Sequence, residues 1–137
     1  MDCIFCKVVA KEIPSYAVYE DEHTCAFLDI NPRAPGHAMV IPKTHAVTLL
    51  DLPEAEVGPL FAAVKTVTAK IQKALQPDGF TIGVNHGDAG HQAVKHLHVH
   101  VIPRWKDDSG GSVHSVVGNP PQEELTAIAA KILAVNT

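Results

Sequence analysis

Short apolar segments bounded by turn-forming residues predict β-strands along much of the chain. Residues 16–21 and 24–30 predict two strands joined by a polar turn, and residues 38–42 predict a short buried strand after a loop rich in proline. Residues 80–85 and 96–103 predict two further strands. Most connections between these segments are too short for a crossover helix, which favours antiparallel pairing.

One longer segment has helical periodicity instead. Between residues 53 and 75, apolar side chains recur at steps of three and four residues. Asp51 and Glu54 resemble a capping box at its start. A second, shorter helix is predicted within residues 121–134. The pattern therefore predicts an α+β fold, in which the long helix packs across one face of a mostly antiparallel sheet. The apolar positions of the long helix are Val57, Leu60, Phe61, Val64, Val67, Ile71 and Leu75.

The composition is that of an ordinary globular protein of 137 residues, with 46% hydrophobic and 19% charged residues. The net charge is −4 and no run of Lys and Arg stands out, so we expect no nucleic-acid partner. No apolar run reaches the roughly 18 residues of a membrane span. The first residues are also too short and interrupted for a signal peptide. We therefore expect a cytoplasmic protein with no membrane partner.

Three histidines lie at alternate positions in KHLHVHVIPR, residues 95–104: His96, His98 and His100. Side chains alternate across a strand, so the three imidazoles are predicted to share one face while the apolar residues between them anchor the other. The pattern is compatible with an exposed strand face, a metal site or a catalytic array. A catalytic array would use one imidazole as a nucleophile toward phosphorus and its neighbours as donors to phosphate oxygens.

The loop before the histidines, NHGDAGHQAV, combines small and hydrogen-bonding residues. Asn85, Gly87, Gly90 and Gln92 are of the types that bring backbone N–H groups close to a phosphate. The same residue types also make ordinary turns. Next to three histidines, we interpret the loop as a phosphate cradle.

Cys3-x-x-Cys6 is either half of a metal site or a redox pair. A redox pair would need a helix N-terminus directly after it in a thioredoxin-like context, which the strand and helix pattern does not predict. A zinc site would need two more ligands. Cys25 is predicted to be a buried core residue.

The pattern His-φ-His-φ-His-φ-φ, in which φ is apolar, resembles the signature of the histidine triad (HIT) family of nucleotide hydrolases and transferases. CIFCKVVAKEIPS and AFLDINPRAPGHAMVIPKTH resemble the N-terminal segment and first block of that family, and NHGDAGHQAVKHLHVHVIPR resembles its active-site block. The resemblance implies one HIT domain over residues 1–137, with a core at about 3–104 and a tail at 105–137. It also implies a five-stranded antiparallel sheet with one long helix, paired as a homodimer into ten strands.

The resemblance implies a role for each matching polar residue. His98 would attack the α-phosphorus of a purine nucleotide and form a nucleotidyl-histidine intermediate, which water resolves. His100 would donate to the phosphate, and His37 would support the triad. Asn85 and Gln92 match residues that contact the phosphate or the leaving group.

The resemblance also implies a nucleoside site. Asp29 matches a carboxylate that binds the ribose hydroxyls, although an Asp before INP also suits a turn cap. Apolar residues match the walls around the base. These residues are Ile4, Phe5, Val8, Phe27 and Ile30.

Some HIT proteins hold a structural zinc with an N-terminal Cys-x-x-Cys, the histidine of a P-x-x-H turn and the first triad histidine. The matching residues are Cys3, Cys6, His45 and His96. The resemblance thus implies one structural zinc per chain, which would remove His96 from proton chemistry. It leaves open whether a divalent ion accompanies a polyphosphate substrate.

We therefore expect hydrolysis or nucleotidyl transfer on an adenosine phosphoramidate or a dinucleoside polyphosphate. Two departures from the family pattern bear on the leaving group. Ala93 stands where one branch has a serine, and residues 105–137 replace a short tail that contains Trp. The alternatives are a hydrolase that uses the triad as a catalytic zinc site, and a nucleotide-binding protein without catalysis.

Overall fold

A computed structural model describes residues 2–137 and confirms the predicted α+β fold. An antiparallel sheet of five strands has the order β1-β2-β3-β5-β4. Its strands are β1 (Ala17–Glu20), β2 (Thr24–Leu28), β3 (Ala38–Pro42), β4 (Gly79–Gly83) and β5 (Val99–Arg104). The helices are α1 (Ile4–Val9), α2 (Glu54–Leu75) and α3 (Leu125–Leu133), with short 3-10 turns at Leu49–Asp51 and Val113–Ser115.

The long helix α2 covers one face of the sheet, as the periodicity predicts. Strand side chains alternate between the two faces, so every second residue of β2, β3 and β5 points at α2. These residues form one apolar core with the buried side of the helix. Its members include Ala26, Ala38, Val40, Leu60, Ala63, Val64, Val67, Ile71, Val99 and Val101. Phe61 and Leu75 lie at the margins of this contact and remain 43% exposed.

The opposite face of the sheet packs against α1, a helix that the sequence patterns do not predict. Cys3 is its N-cap, and the Cys3 Sγ accepts a hydrogen bond from the Cys6 N–H at 3.3 Å. Phe5 packs the helix against a second apolar cluster, in which the rings of Phe5 and Phe27 meet edge to face with their centroids 5.4 Å apart. The cysteine pair therefore does stand at a helix N-terminus. The all-antiparallel sheet around it is not a thioredoxin-like context.

Two local predictions were wrong. The last strand begins at Val99 rather than at residue 96, because the preceding segment bonds to the loop after β3 through Leu97 N–H and Ala46 O at 2.7 Å. Asp51 does not cap α2. Its carboxylate instead accepts from both the N–H and the hydroxyl of Thr48 at 3.0 Å, which closes the 3-10 turn before the helix.

The tail after β5 is tied down first by Arg104 and ends in an exposed helix. The Arg104 guanidinium makes two hydrogen bonds to Asp108 and also donates to Thr81 Oγ1 and Gly111 O. Helix α3 lies beyond this segment with its apolar side chains largely exposed to solvent. Among residues 2–137, no helix is long and apolar enough to cross a membrane.

Candidate active site and metal centre

The three histidines follow one another along the end of the chain segment that enters β5, with His100 inside the strand and His96 and His98 just before it. His98 and His100 lie with their ring centroids 5.0 Å apart. Phe5 packs edge-on against His96 at 6.0 Å and against His98 at 5.2 Å. His96 and His98 are buried, and His100 is half-buried. The alternation in sequence therefore becomes a row of imidazoles on one side of the molecule.

The ring of His98 is oriented by the backbone of its own segment. His98 Nδ1 lies 2.7 Å from the carbonyl oxygen of His96. A carbonyl oxygen only accepts, so Nδ1 carries the proton and donates it. In the neutral ring, Nε2 then has a free lone pair. His98 thus presents an unprotonated nitrogen, which is what a nucleophile needs.

A chain of hydrogen bonds sets the tautomers of His37 and His100. The N–H of Arg33 donates to His37 Nδ1 at 3.1 Å, so the proton of neutral His37 is on Nε2. His37 Nε2 lies 2.9 Å from His100 Nδ1 and donates to it. His100 must then carry its own proton on Nε2. This relay leaves His100 Nε2–H as a hydrogen-bond donor.

Burial keeps both imidazoles of this relay neutral. It lowers the pKa of His100 to about 4, and the nearby rings of His98 and His37 act in the same direction. Burial also lowers the pKa of His37, opposed by the carboxylate of Asp29 and reinforced by the positive charge of Arg33. Neutral rings are required for the relay, because a doubly protonated ring has no acceptor nitrogen.

The polar residues around the triad have distinct environments. Asp29 directs Oδ2 to within 3.6 Å of His37 Nε2, while its Oδ1 accepts from Asn31 N–H and caps the turn. One carboxylate oxygen of Asp29 therefore caps the turn, which is the alternative to a ribose contact, while the other oxygen faces His37. Asn85 is exposed after the end of β4.

The side chain of Gln92 was expected to contact the phosphate or the leaving group, but in the structure it binds backbone groups. Its amide nitrogen donates to Val47 O at 2.6 Å and to Val94 O at 2.9 Å. Its carbonyl oxygen accepts from Gly87 N–H at 2.9 Å. Both amide hydrogens are thus used by the backbone, and Gln92 holds the loop together in this conformation.

The expected apolar walls divide into two groups. Phe5 and Phe27 are buried, and Val8 packs against the same cluster. Ile4 is 52% exposed and Ile30 is 77% exposed. Exposed apolar side chains of this size suit contact with the flat ring of a base, although isolated exposed apolar residues are also common.

Three further side chains converge on His96 and form a candidate metal centre with it. The ligand atoms of Cys3, Cys6, His45 and His96 all lie within 4.8 Å of one another. Cys3 Sγ and Cys6 Sγ lie 3.4 and 3.6 Å from His96 Nδ1, and Cys6 Sγ lies 3.3 Å from His45 Nδ1. The two imidazole nitrogens are 3.2 Å apart. These residues are separated by up to 93 positions along the chain, so only the fold brings them together.

The geometry of this cluster fits a tetrahedral metal. With Zn–S and Zn–N bonds of ordinary length, the edges of such a tetrahedron measure about 3.3–3.8 Å. The four measured separations lie within about 0.3 Å of that expectation. His96 Nε2 donates to Pro42 O at 2.9 Å, which leaves His96 Nδ1 with the lone pair that a metal requires.

Sequence reasoning missed the groups that orient the histidines. The carbonyls of Pro42 and His96 and the N–H of Arg33 are backbone groups, so residue identity carries no signal for them. Helix α1 had a usable signal, since Ile4 and Val8 are four residues apart on an apolar segment.

Residues 10–107 match the sequence profile of the HIT domain. The chain belongs to the HIT family. A structure of a HIT-family protein from Bacillus subtilis has a TM-score of 0.88 and 35% identity, covering 100% of this chain and 99% of that one. A zinc-bound HIT protein from Mycobacterium smegmatis has a TM-score of 0.75 and 40% identity, covering 80% and 79% of the two chains.

Two related HIT proteins have names that state an activity. The yeast (Saccharomyces cerevisiae) adenosine 5'-monophosphoramidase HNT1 is 39% identical over 121 residues, which are 88% of this chain and 72% of that protein. The adenylylsulfatase HINT3 of Arabidopsis thaliana is 39% identical over 107 residues, which are 78% of this chain and 54% of that protein. Both names describe hydrolysis of an adenylyl compound.

The lowered pKa of His100 predicts a pH dependence of stability. Between about pH 4 and pH 6.5 the unfolded chain binds a proton at this residue and the folded chain does not. Stability therefore rises with pH through this window and falls as the solution is acidified. His100→Asn should flatten that slope by up to about 1.4 kcal/mol per pH unit. Urea unfolding at fixed zinc between pH 5 and 7.5 measures it.

His86→Asn is the matched control, because His86 is an exposed loop histidine. It should leave the slope of the wild-type protein unchanged. Parallel stability curves for His100→Asn and the wild-type protein would contradict the assignment.

Proposed function

We propose that the protein hydrolyses or transfers the nucleotidyl group of a purine nucleotide derivative through a covalent nucleotidyl-His98 intermediate. The observation that carries this proposal is the hydrogen bond from His98 Nδ1 to the His96 carbonyl, which leaves Nε2 free to attack. The HIT family assignment and the names of the two adenylyl hydrolases support the substrate class.

The first step makes a bond from His98 Nε2 to the α-phosphorus as the bond from phosphorus to the leaving group breaks. The leaving group departs with the bonding electron pair, and the phosphorylated ring becomes positively charged. The His96 carbonyl, 2.7 Å from Nδ1, stabilises that charge through a charge-assisted hydrogen bond. His100 Nε2–H donates to a phosphate oxygen. Water then forms the new P–O bond, the electron pair returns to Nε2, and a proton is released to solvent.

The remaining site residues serve the nucleotide in this proposal. The Asp29 carboxylate binds the ribose hydroxyls with the oxygen that faces His37, and His37 holds the tautomer of His100. Asn85 contacts the phosphate from the exposed end of its loop, and Gln92 keeps that loop closed. The base lies against the apolar residues Ile4, Phe5, Val8, Phe27 and Ile30.

Replacement of the nucleophile gives the first test of this function. His98→Ala and His98→Asn should lower hydrolysis of adenosine phosphoramidate and of diadenosine polyphosphate by at least about a thousandfold, because no other group forms the covalent bond. AMP should still bind to both variants. Mass spectrometry of wild-type protein quenched in alkaline denaturant, in which the P–N bond is stable, should detect the added adenylyl group, which the variants should lack.

His86→Asn controls for the loss of an imidazole elsewhere and should retain full turnover. Hydrolysis near the wild-type rate by His98→Ala would rule out the covalent mechanism. AMP binding without turnover of any tested substrate by the wild-type protein would favour a binding protein instead.

We also propose that Cys3, Cys6, His45 and His96 hold one structural zinc ion. The tetrahedral spacing of the four ligand atoms and the hydrogen bond from His96 Nε2 to Pro42 O support this assignment. When bound, zinc would link α1 to the segment before β5. It would also remove the His96 lone pair from proton chemistry, which leaves proton exchange to the two later histidines.

Removal of the two thiols tests the zinc proposal. Cys3→Ser combined with Cys6→Ser should abolish binding of about one zinc per chain and lower the free energy of unfolding by several kcal/mol. Metal analysis and urea unfolding measure the two effects. Cys25→Ala removes the third thiol, which lies outside the cluster, and should keep the zinc. A stoichiometric metal that survives the double substitution would instead support a catalytic metal at the triad.

We propose a homodimer in which two β4 strands pair edge to edge. Strand β4 is at the edge of the sheet, where its outer backbone groups have no strand partner among residues 2–137. Phe61 and Ile82 are 43% and 41% exposed and line one shallow surface cavity of about 640 Å³ beside that edge. Open edges and apolar patches of this kind suit association.

A charge placed on this patch should disrupt the dimer. Phe61→Glu or Ile82→Lys should shift the mass measured by light scattering from two chains to one, because a charge cannot be buried there unpaired. Leu50→Glu changes an equally apolar residue that is 86% exposed, and it should leave the dimer intact. A single-chain mass for the wild-type protein at micromolar concentration would contradict the proposal.

A further inference from the structure

The two cysteines on either side of Ile4 and Phe5 form a close pair at the start of α1. Cys3 Sγ accepts from Cys6 N–H at 3.3 Å, and Cys3 O accepts from Lys7 N–H at 3.1 Å, so residues 3–7 complete one helical turn. Residues three apart on such a turn have Cα atoms about 5 Å apart, which a disulfide can span. The two sulfurs lie within 4.8 Å of each other. A disulfide between them therefore needs only a local adjustment.

Both thiols of this pair can be reached from solvent. Cys6 is half-buried. Cys3 is 8% exposed, but it lines an open cavity of about 470 Å³ together with His45 and Lys95. A solute little larger than water, such as hydrogen peroxide, fits into this space. Cys25, the third thiol, is buried in β2 and is not part of this lining. A small oxidant would therefore meet the pair before it meets Cys25.

Zinc and an oxidant use the same chemical form of the two thiols. A thiol binds zinc only as a thiolate, and the thiolate is also the form that hydrogen peroxide oxidises. In the proposed cluster, Cys3 and Cys6 supply two ligands, and His45 and His96 supply the other two. A disulfide contains no thiolate, so oxidation would leave two neutral imidazoles, which are too few for a tetrahedral zinc. The zinc-bound pair and the disulfide are therefore alternative states.

We infer that Cys3 and Cys6 are a redox site, at which hydrogen peroxide forms a reversible disulfide and releases the zinc. The inference rests on the zinc site proposed above. One Sγ attacks a peroxide oxygen, the O–O bond breaks, and the thiolate becomes a sulfenic acid as hydroxide leaves. The other Sγ attacks that sulfur, the S–S bond forms, and the S–O bond breaks to release a second hydroxide. Two electrons thus pass from the sulfurs to the peroxide, and two protons from solvent complete two molecules of water.

The disulfide acts on the active site through Ile4 and Phe5, which lie between the two cysteines. Two sulfurs on one tetrahedral zinc are about 3.8 Å apart, whereas a disulfide requires about 2.0 Å, so its closure moves this turn. Phe5 packs edge-on against His98 with the ring centroids 5.2 Å apart, and Ile4 and Phe5 belong to the proposed wall around the base. The hydrogen bond from Leu97 N–H to Ala46 O does not involve the cysteines and keeps the loop after β3 in place. Oxidation should therefore weaken nucleotide binding and turnover without unfolding the sheet.

Peroxide treatment of the zinc-loaded protein tests the redox site. After reductant is removed, a small molar excess of hydrogen peroxide should release about one zinc per chain to a colorimetric chelator. The chain should lose the mass of two hydrogen atoms, and peptide mapping should link Cys3 to Cys6. Dithiothreitol with added zinc should reverse both changes. In the oxidised form, kcat/KM for adenosine phosphoramidate should fall at least about tenfold and should recover on reduction.

Cys25→Ala is the matched control, because it keeps the pair and should show the same zinc release and the same disulfide. Untreated protein with the same chelator should keep its zinc. Zinc that stays bound after peroxide treatment, or a disulfide that includes Cys25, would overturn the inference while leaving the zinc site in place. Unchanged hydrolysis by the disulfide form would overturn the effect on the active site.

Failure of the earlier proposals is distinguishable from failure of this one. A wild-type protein that holds no zinc before oxidation would contradict the zinc site. A wild-type protein that forms no adenylyl adduct would contradict nucleotidyl-His98, while zinc release and the mass of the chain would still report on the cysteine pair.

Discussion

Two backbone carbonyl groups decide which nitrogen each of the first two triad histidines exposes. Pro42 O accepts from His96 Nε2, and His96 O accepts from His98 Nδ1. A free imidazole exchanges its proton between the two nitrogens, but both of these rings are buried, so water cannot replace the carbonyls. The first ring therefore presents Nδ1 to the cysteines, and the second keeps Nε2 unprotonated. Two identical side chains therefore have different unprotonated nitrogens, Nδ1 in His96 and Nε2 in His98, because of the backbone geometry around them.

The same arrangement links the candidate metal centre to the proposed nucleophile. The ring of His96 belongs to the cluster with Cys3 and Cys6, while its carbonyl belongs to His98. Any group that holds the ring of His96 also holds the carbonyl that orients His98. Phe5 strengthens the link, because it packs edge-on against both rings from helix α1. The apolar cluster under α1 thus helps to position the proposed nucleophile although it contains no reacting atom.

Periodicity and motif spacing predicted the parts of the structure that depend on local pattern. The strands and the long helix follow from residue types and their order, whereas the convergence of Cys3, Cys6, His45 and His96 was expected only from the resemblance to the HIT family. The tautomers and the contacts of Gln92 depend on distances between segments far apart in the chain, which no local pattern encodes. Gln92 illustrates the limit. Its side chain suits a phosphate contact in sequence, yet the fold gives its amide hydrogens to two carbonyls of the backbone.

The proposed nucleophile and the groups expected around the leaving group lie on different parts of the fold. His100 belongs to β5 and His98 directly precedes it, so a shift of their backbone would disturb the core beneath them. Ala93 is exposed on the loop before this segment, where substitutions have little packing cost. Exchange of its methyl group for a hydroxyl would supply a proton donor to an amine leaving group without touching the proposed nucleophile. In the proposed mechanism, bond cleavage at the α-phosphorus can therefore stay constant while the second half of the substrate changes.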